Sequence, residues 1–135
     1  MAKRYVAEVG SDAVDEFLVA QSEPCVITPL VATELESMLQ RLARQHLIDA
    51  RFAAQVRRSY AGDLGAALWS MQPFDPASFA RAAALMRELN LPLATLDALH
   101  LASAMDLGCS AIATGDRQLA RAAEASGLTV HSFVV

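Results

Sequence analysis

The sequence predicts an α/β fold in which helices cover both faces of a parallel sheet. Short apolar segments alternate along the chain with longer segments of helical period, the order that builds strand–helix–strand units. The short segments are apolar throughout rather than at every second residue, as strands buried on both faces must be. Hydrophobic residues make up 54% of the 135 residues and charged residues 19%, so the chain can bury a single apolar core without a covalent staple. We expect residues 1–135 to form one domain, with no repeat, low-complexity tract or linker.

Each element is set by local signals. Gly10-Ser11-Asp12 opens a helix whose stripe is Val14, Phe17 and Leu18, running to Gln21. Cys25-Val26-Ile27 is a β-branched strand that ends at Thr28-Pro29, where Thr can cap and Pro can take the first helical position. The helix from Pro29 to about Gln45 buries Leu30, Val31, Leu35, Met38, Leu39 and Leu42, with Glu34 at the edge of that stripe. Asp49 starts a helix through Phe52, Val56 and Tyr60 that fades over Gly62 to Gly65, and Leu68 to Met71 is a weak strand.

Asp75-Pro76 repeats the cap-plus-Pro signature ahead of an alanine-rich helix ending near Asn90. Thr95 is expected to cap a helix from Leu96 to Leu107 that is apolar nearly all round, hence buried, and closed by Gly108. Ser110 to Thr114 reads as a strand, Gly115-Asp116 as a turn, Arg117 to Ser126 as a helix stopped by Gly127, and Thr129 to Val134 as the last strand.

Composition narrows the function classes. Eleven basic against fifteen acidic residues give a net charge of −4, which excludes nucleic-acid binding by bulk charge and leaves only local contacts. Cys25 and Cys109 lack a CxxC neighbour and sit in apolar surroundings, so both are expected as buried free thiols. The start has no apolar signal-peptide region, and the longest apolar stretch, Leu96 to Ala113, is broken by Asp97, His100 and Asp106. A cytoplasmic protein without a membrane span is the expectation. Neither a Gly-x-Ser-x-Gly elbow nor a P-loop or GxGxxG turn is present, which disfavours a serine hydrolase and a nucleotide-binding module.

Three acids stand where a solvated carboxylate is not the simplest choice. Glu34 borders an apolar stripe, Asp97 lies in the first turn of a buried helix, and Asp116 comes just after a strand, at the end of a parallel sheet where sites form. Each has a second reading from pattern alone: Glu34 as a snorkelling side chain, Asp97 as a complement to the helix dipole, Asp116 as a cap.

The wording around these acids is more specific. Thr95-Leu96-Asp97-Ala98-Leu99-His100-Leu101-Ala102-Ser103-Ala104 and Thr114-Gly115-Asp116-Arg117-Gln118-Leu119 resemble the two C-terminal motifs of PIN-domain nucleases, and most of all those of VapC-type toxins. Ile27-Thr28-Pro29-Leu30-Val31-Ala32-Thr33-Glu34-Leu35 is similar to the stretch holding that family's second acid. Lys3-Arg4-Tyr5-Val6-Ala7-Glu8, with Gly10-Ser11, is similar to the segment just after the family's first acid. The likeness covers essentially the whole chain.

The resemblance implies a PIN-like three-layer sandwich with a parallel central sheet, and it implies that the family's first strand, with its acid, is missing ahead of Met1. It implies that Glu34, Asp97 and Asp116 are catalytic and hold Mg²⁺ or Mn²⁺, directly or through water. A cation would relieve the repulsion of crowded carboxylates and assist hydrolysis of an RNA phosphodiester. It implies further a toxin–antitoxin pair, with an RNA substrate, a cognate antitoxin covering the acids and a homodimer. The competing expectation is a PIN-like protein without catalysis that binds RNA or an antitoxin. His100, a turn from Asp97, is expected as a packed or hydrogen-bonded histidine rather than a base. Arg117, Lys3 and Arg4 are candidates for phosphate contacts and equally for solvated surface.

Overall fold

The computed structural model describes residues 1–7 and 9–135; Glu8 of the N-terminal motif lies outside the described residues. Helices and short parallel strands alternate in an α/β fold, and the chain divides into two compact units, Met1–Pro73 and Phe74–Val135.

In the first unit a four-residue helix, α1 (Ala2–Tyr5), precedes α2 (Ser11–Ala20). Gly10 sits at the N-cap of α2 with φ 92°, a left-handed conformation that glycine adopts without steric cost. Strand β1 (Cys25–Ile27) leads into α3 (Leu30–Arg44), which pairs with α4 (Ala50–Gly65), and β2 (Trp69–Met71) closes the unit. Strands β1 and β2 run parallel in the register Cys25 with Trp69 and Ile27 with Met71. The core is built from Leu35 and Leu39 of α3 against Ala53 and Val56 of α4, with Met38, Ile48, Phe52 and Tyr60 packed around them.

The short N-terminal helix is unexpected from sequence, and a polar network explains it. The Arg4 guanidinium donates to Asp15 Oδ1 at 2.7 Å and to both oxygens of Asp63 at 3.3 Å. Tyr5 donates to Asp63 Oδ2 at 2.7 Å and accepts from Trp69 Nε1 at 2.8 Å, while its ring stands edge-on to Tyr60. Burial, then the bond to Asp63, pushes the Tyr5 phenol upward, and the two carboxylates push the Arg4 guanidinium upward. Arg4 is therefore committed to holding α1, α2 and α4 together. Lys3 donates to the carbonyl of Val9 at 2.6 Å.

In the second unit α5 (Ser78–Glu88) and α6 (Thr95–Asp106) form a tight antiparallel hairpin, with β3 (Ala111–Thr114), α7 (Arg117–Ala125) and β4 (Thr129–Ser132) after it. Strands β3 and β4 are parallel, Ala111 beside Thr129 and Thr114 beside Ser132. Alanines at the contacts let the helices approach closely: Ala82 on α5, Ala98 and Ala102 on α6, and Ala122 and Ala123 on α7 are all buried. Helix α6 buries Ala98, Leu99, Leu101, Ala102 and Ser103. It is not covered all round, because Leu96 and Leu107 at its two ends are exposed.

Several boundaries differ from the sequence reading. Among the described residues each unit holds one parallel ribbon of two strands, each strand three or four residues long, so the sheet within each unit is small. Thr95 is the first helical residue of α6, and Ala94 is the N-cap with no side-chain bond. Pro29 takes the N-cap of α3 rather than its first turn, because Val31 N–H closes a tight turn onto the carbonyl of Thr28. Asp75 accepts from Ala77 N–H and, through its carbonyl, from Ser78 N–H, so that turn delays α5 to Ser78. Asp49 caps α4 as expected, accepting from Phe52 N–H at 2.7 Å. Gly108 at φ 70° and Gly127 at φ 85° end α6 and α7 as expected. Cys25 and Cys109 are free thiols but half-buried, not fully enclosed.

The α5–α6 hairpin is pinned at one end by Asp106, which accepts from the Ser78 hydroxyl at 2.6 Å and pairs with Arg81. The Ser78 bond first, and Arg81 after it, hold the Asp106 carboxyl below its usual range. A depressed carboxyl stabilises the fold above its unfolded pKa of about 4 and loses that contribution as the pH falls through the lower folded value. Asp106→Asn is therefore expected to melt below the parent at pH 7, with the gap closing as the pH falls below about 4. Paired thermal melts across that range check it; a gap that stays constant with pH contradicts it.

Candidate metal centre and nuclease site

Glu34 lies in the second turn of α3, half-buried, about one turn beyond the carboxyl end of β1. Glu36, two residues on, is already committed: Arg57 of α4 donates to both its oxygens at 2.6 and 2.8 Å, and Gln40 adds a third bond. The Arg57 bonds, chiefly, hold the Glu36 carboxyl at about 2. Of the two acids on α3, Glu36 thus ties helix to helix.

The second unit carries the other two candidate acids, Asp97 and Asp116. Helix α6 runs to Asp106, and the chain reverses at Gly108, where Gly108 N–H bonds to Met105 and Cys109 N–H to Ala104. Strand β3 follows, in contact with α6. Half-buried Asp97 lies in the first turn of α6, and exposed Asp116 lies just past β3. Asp116 is thus at the carboxyl end of the parallel β3–β4 ribbon, the position where α/β folds place their sites. The half-buried His100 lies one turn of α6 beyond Asp97.

Asp116 has a defined orientation. Its Oδ1 accepts from Gln118 N–H at 2.7 Å and Leu119 N–H at 2.8 Å, capping α7. Its own N–H donates to Thr114 Oγ1 at 3.0 Å. Both cap bonds fall on one oxygen, so Oδ2 stays outside the cap. The capping reading of Asp116 and the ligand reading are thus compatible, which pattern alone could not reveal. The role of Thr114 was missed from sequence; a Thr two residues before a helix-capping Asp is the available signal.

Other acids are taken up structurally: Asp15 and Asp63 by Arg4, Asp49 and Asp75 by backbone N–H groups, Asp106 by Ser78 and Arg81. A shallow groove along α5, lined by Arg81, Leu85, Glu88 and Met105 among others, contains none of the three candidates. Among the described residues, no three His, Cys, Asp or Glu side chains are gathered so as to hold a metal ion. The candidate donors are all carboxylate oxygens, a set suited to a hard cation such as Mg²⁺ or Mn²⁺, and Oδ2 of Asp116 is one oxygen the fold leaves for it. No helix among the described residues is long and apolar enough to cross a membrane.

The chain matches the PIN domain across residues 5–125 and belongs to that family, whose members are generally metal-dependent nucleases acting on nucleic acids. The match spans Glu34, Asp97 and Asp116. No curated protein matches the chain.

Proposed function

We propose that this PIN domain is a Mg²⁺- or Mn²⁺-dependent endoribonuclease, the toxin of a toxin–antitoxin pair, with Glu34, Asp97 and Asp116 as its catalytic metal ligands. The observation that supports the reading is Asp116 just past β3, at the carboxyl end of the β3–β4 ribbon, with its Oδ2 outside the helix cap. The cap fixes the Asp116 carboxylate before any cation arrives, so little order is lost on binding. Asp97 lies at the positive end of the α6 dipole, which favours a negative charge there. A bound cation would activate water and neutralise charge on the scissile phosphate. Arg117, exposed beside Asp116, is the nearest cationic residue in sequence for a phosphate oxygen.

The toxin assignment rests on the likeness of the motifs to VapC-type toxins; a cognate antitoxin would supply Arg side chains to these carboxylates, and a homodimer is part of the same reading. A non-catalytic PIN protein that binds RNA or an antitoxin is the second reading, favoured by one observation: no three-residue metal group is assembled among the described residues.

End-labelled single-stranded RNA separates the two. Cleavage in Mg²⁺ or Mn²⁺ that stops in excess chelator is the expected result. RNA retention without cleavage under every cation supports the second reading, and cleavage that survives the chelator contradicts the metal role.

A further inference from the structure

We propose that the arginine-rich α3–α4 hairpin of the first unit is an RNA-docking surface that grips phosphates; this rests on reading the chain as a ribonuclease. Five of the eleven basic residues, Arg41, Arg44, Arg51, Arg57 and Arg58, fall between positions 41 and 58, where Asp49 is the only acid. That acid is spent on capping α4. All five arginines are exposed. Arg57 is held by Glu36, but among the described residues no carboxylate pairs with Arg41, Arg44, Arg51 or Arg58. The chain as a whole carries −4, so the hairpin is a basic region on an acidic protein.

The hairpin presents these groups on a fixed frame. Gln45, His46 and Leu47 N–H bond back to the carbonyls of Arg41, Ala43 and Leu42, with His46 at φ 56° closing α3 in the left-handed conformation. On α4, Arg51 and Arg58 are seven residues apart, on one side of the helix and about 10 Å apart along it. Ala53 and Val56 of the same helix are packed into the core with Leu35 and Leu39. Guanidinium forks match phosphate oxygens, and the acidic remainder of the surface repels RNA and so steers it to the hairpin. A lipid surface fits less well, because helices that lie on membranes set their cations against an apolar face. Among the described residues, Leu47 is the only large apolar side chain exposed on the hairpin.

The test uses the full chain and a fluorescein-labelled single-stranded RNA in excess chelator, so that binding is read without cleavage, by anisotropy from about 20 to about 200 mM salt. Arg41→Gln with Arg44→Gln, and separately Arg51→Gln with Arg58→Gln, are each expected to weaken binding about 10–100-fold at about 50 mM salt. Each pair is also expected to flatten the logarithmic salt slope by about 1.4, the loss of two phosphate contacts on a single strand. Arg87→Gln with Arg121→Gln removes the same charge from exposed positions off the hairpin and is expected to leave the slope unchanged. Should one hairpin pair melt early, the other carries the comparison. No RNA binding by the parent, unchanged slopes in the hairpin pairs, or an equal loss in the Arg87 and Arg121 pair overturns the proposal. So does binding of polyaspartate or of phosphatidylserine vesicles as tight as that of RNA. Failure of the nuclease reading is a separate result: RNA left uncut in Mg²⁺ and Mn²⁺ while hairpin-dependent binding persists, which supports the docking surface.

Discussion

Asp97→Asn is expected to cut RNA cleavage by about 10²–10³-fold while leaving the fold in place, because the proposed function makes Asp97 a ligand to a cation that would supply several kcal/mol of transition-state stabilisation. The amide keeps the size of the carboxylate and removes its charge. Asp97 sits in the first turn of α6, so the substitution also gives up a favourable contact with the helix dipole, about 0.3–1 kcal/mol. That loss predicts a melting temperature lower by a few degrees at most, far too little to empty the folded state. Initial rates on labelled RNA in saturating Mn²⁺, with circular dichroism melts of the same samples, check the two effects together. Full activity in Asp97→Asn removes it from the site, and loss of activity with loss of fold makes it a structural residue.

The largest expected effect on stability falls at Leu39. This side chain is 0% exposed, in the middle of α3, and packs in one cluster with Leu35, Ala53 and Val56. Truncation removes three carbons from a site whose neighbours are small or already packed, so the cavity closes poorly. Leu39→Ala is expected to destabilise by about 2–5 kcal/mol, the range for fully enclosed leucines. Urea unfolding reads this as a lower midpoint with an unchanged slope. A cost under about 1 kcal/mol would mean that the site collapses around the gap or that α3 and α4 pack more loosely than their contacts imply.

Much of the fold was legible because each signal has a local cause. Asp49 capping α4, Gly108 and Gly127 ending their helices, and the apolar runs at Cys25–Ile27 and Ala111–Thr114 are all decided by residues within one turn of each other. The parts that were not legible depend on distant partners. The α1 helix exists through Arg4 and Tyr5, whose partner Asp63 lies 59 and 58 positions away, and no local pattern marks those residues as a pair. Which strands pair, β1 with β2 and β3 with β4, is likewise not specified by apolar character alone.

The site shows the same division. Asp116 was marked by its place after a strand, yet the separation of its two oxygens, one for the cap and one outside it, is a property of geometry. The commitment of Glu36 was not legible either, because its partner Arg57 lies 21 residues beyond it. Lys3 and Arg4 looked like solvated or phosphate-facing charges and are instead tied to the carbonyl of Val9 and to the Asp15–Asp63 pair.

The central claim is that these carboxylates hold a cation, and Mn²⁺ titration of the parent against Asp116→Asn tests it most directly. Asn caps helices about as well as Asp, so α7 is kept while the charged oxygen is lost. Saturable Mn²⁺ binding by the parent that weakens at least about tenfold in Asp116→Asn, at matched melting temperatures, is the predicted result. Equal Mn²⁺ binding by the two proteins, or none by the parent, would contradict it.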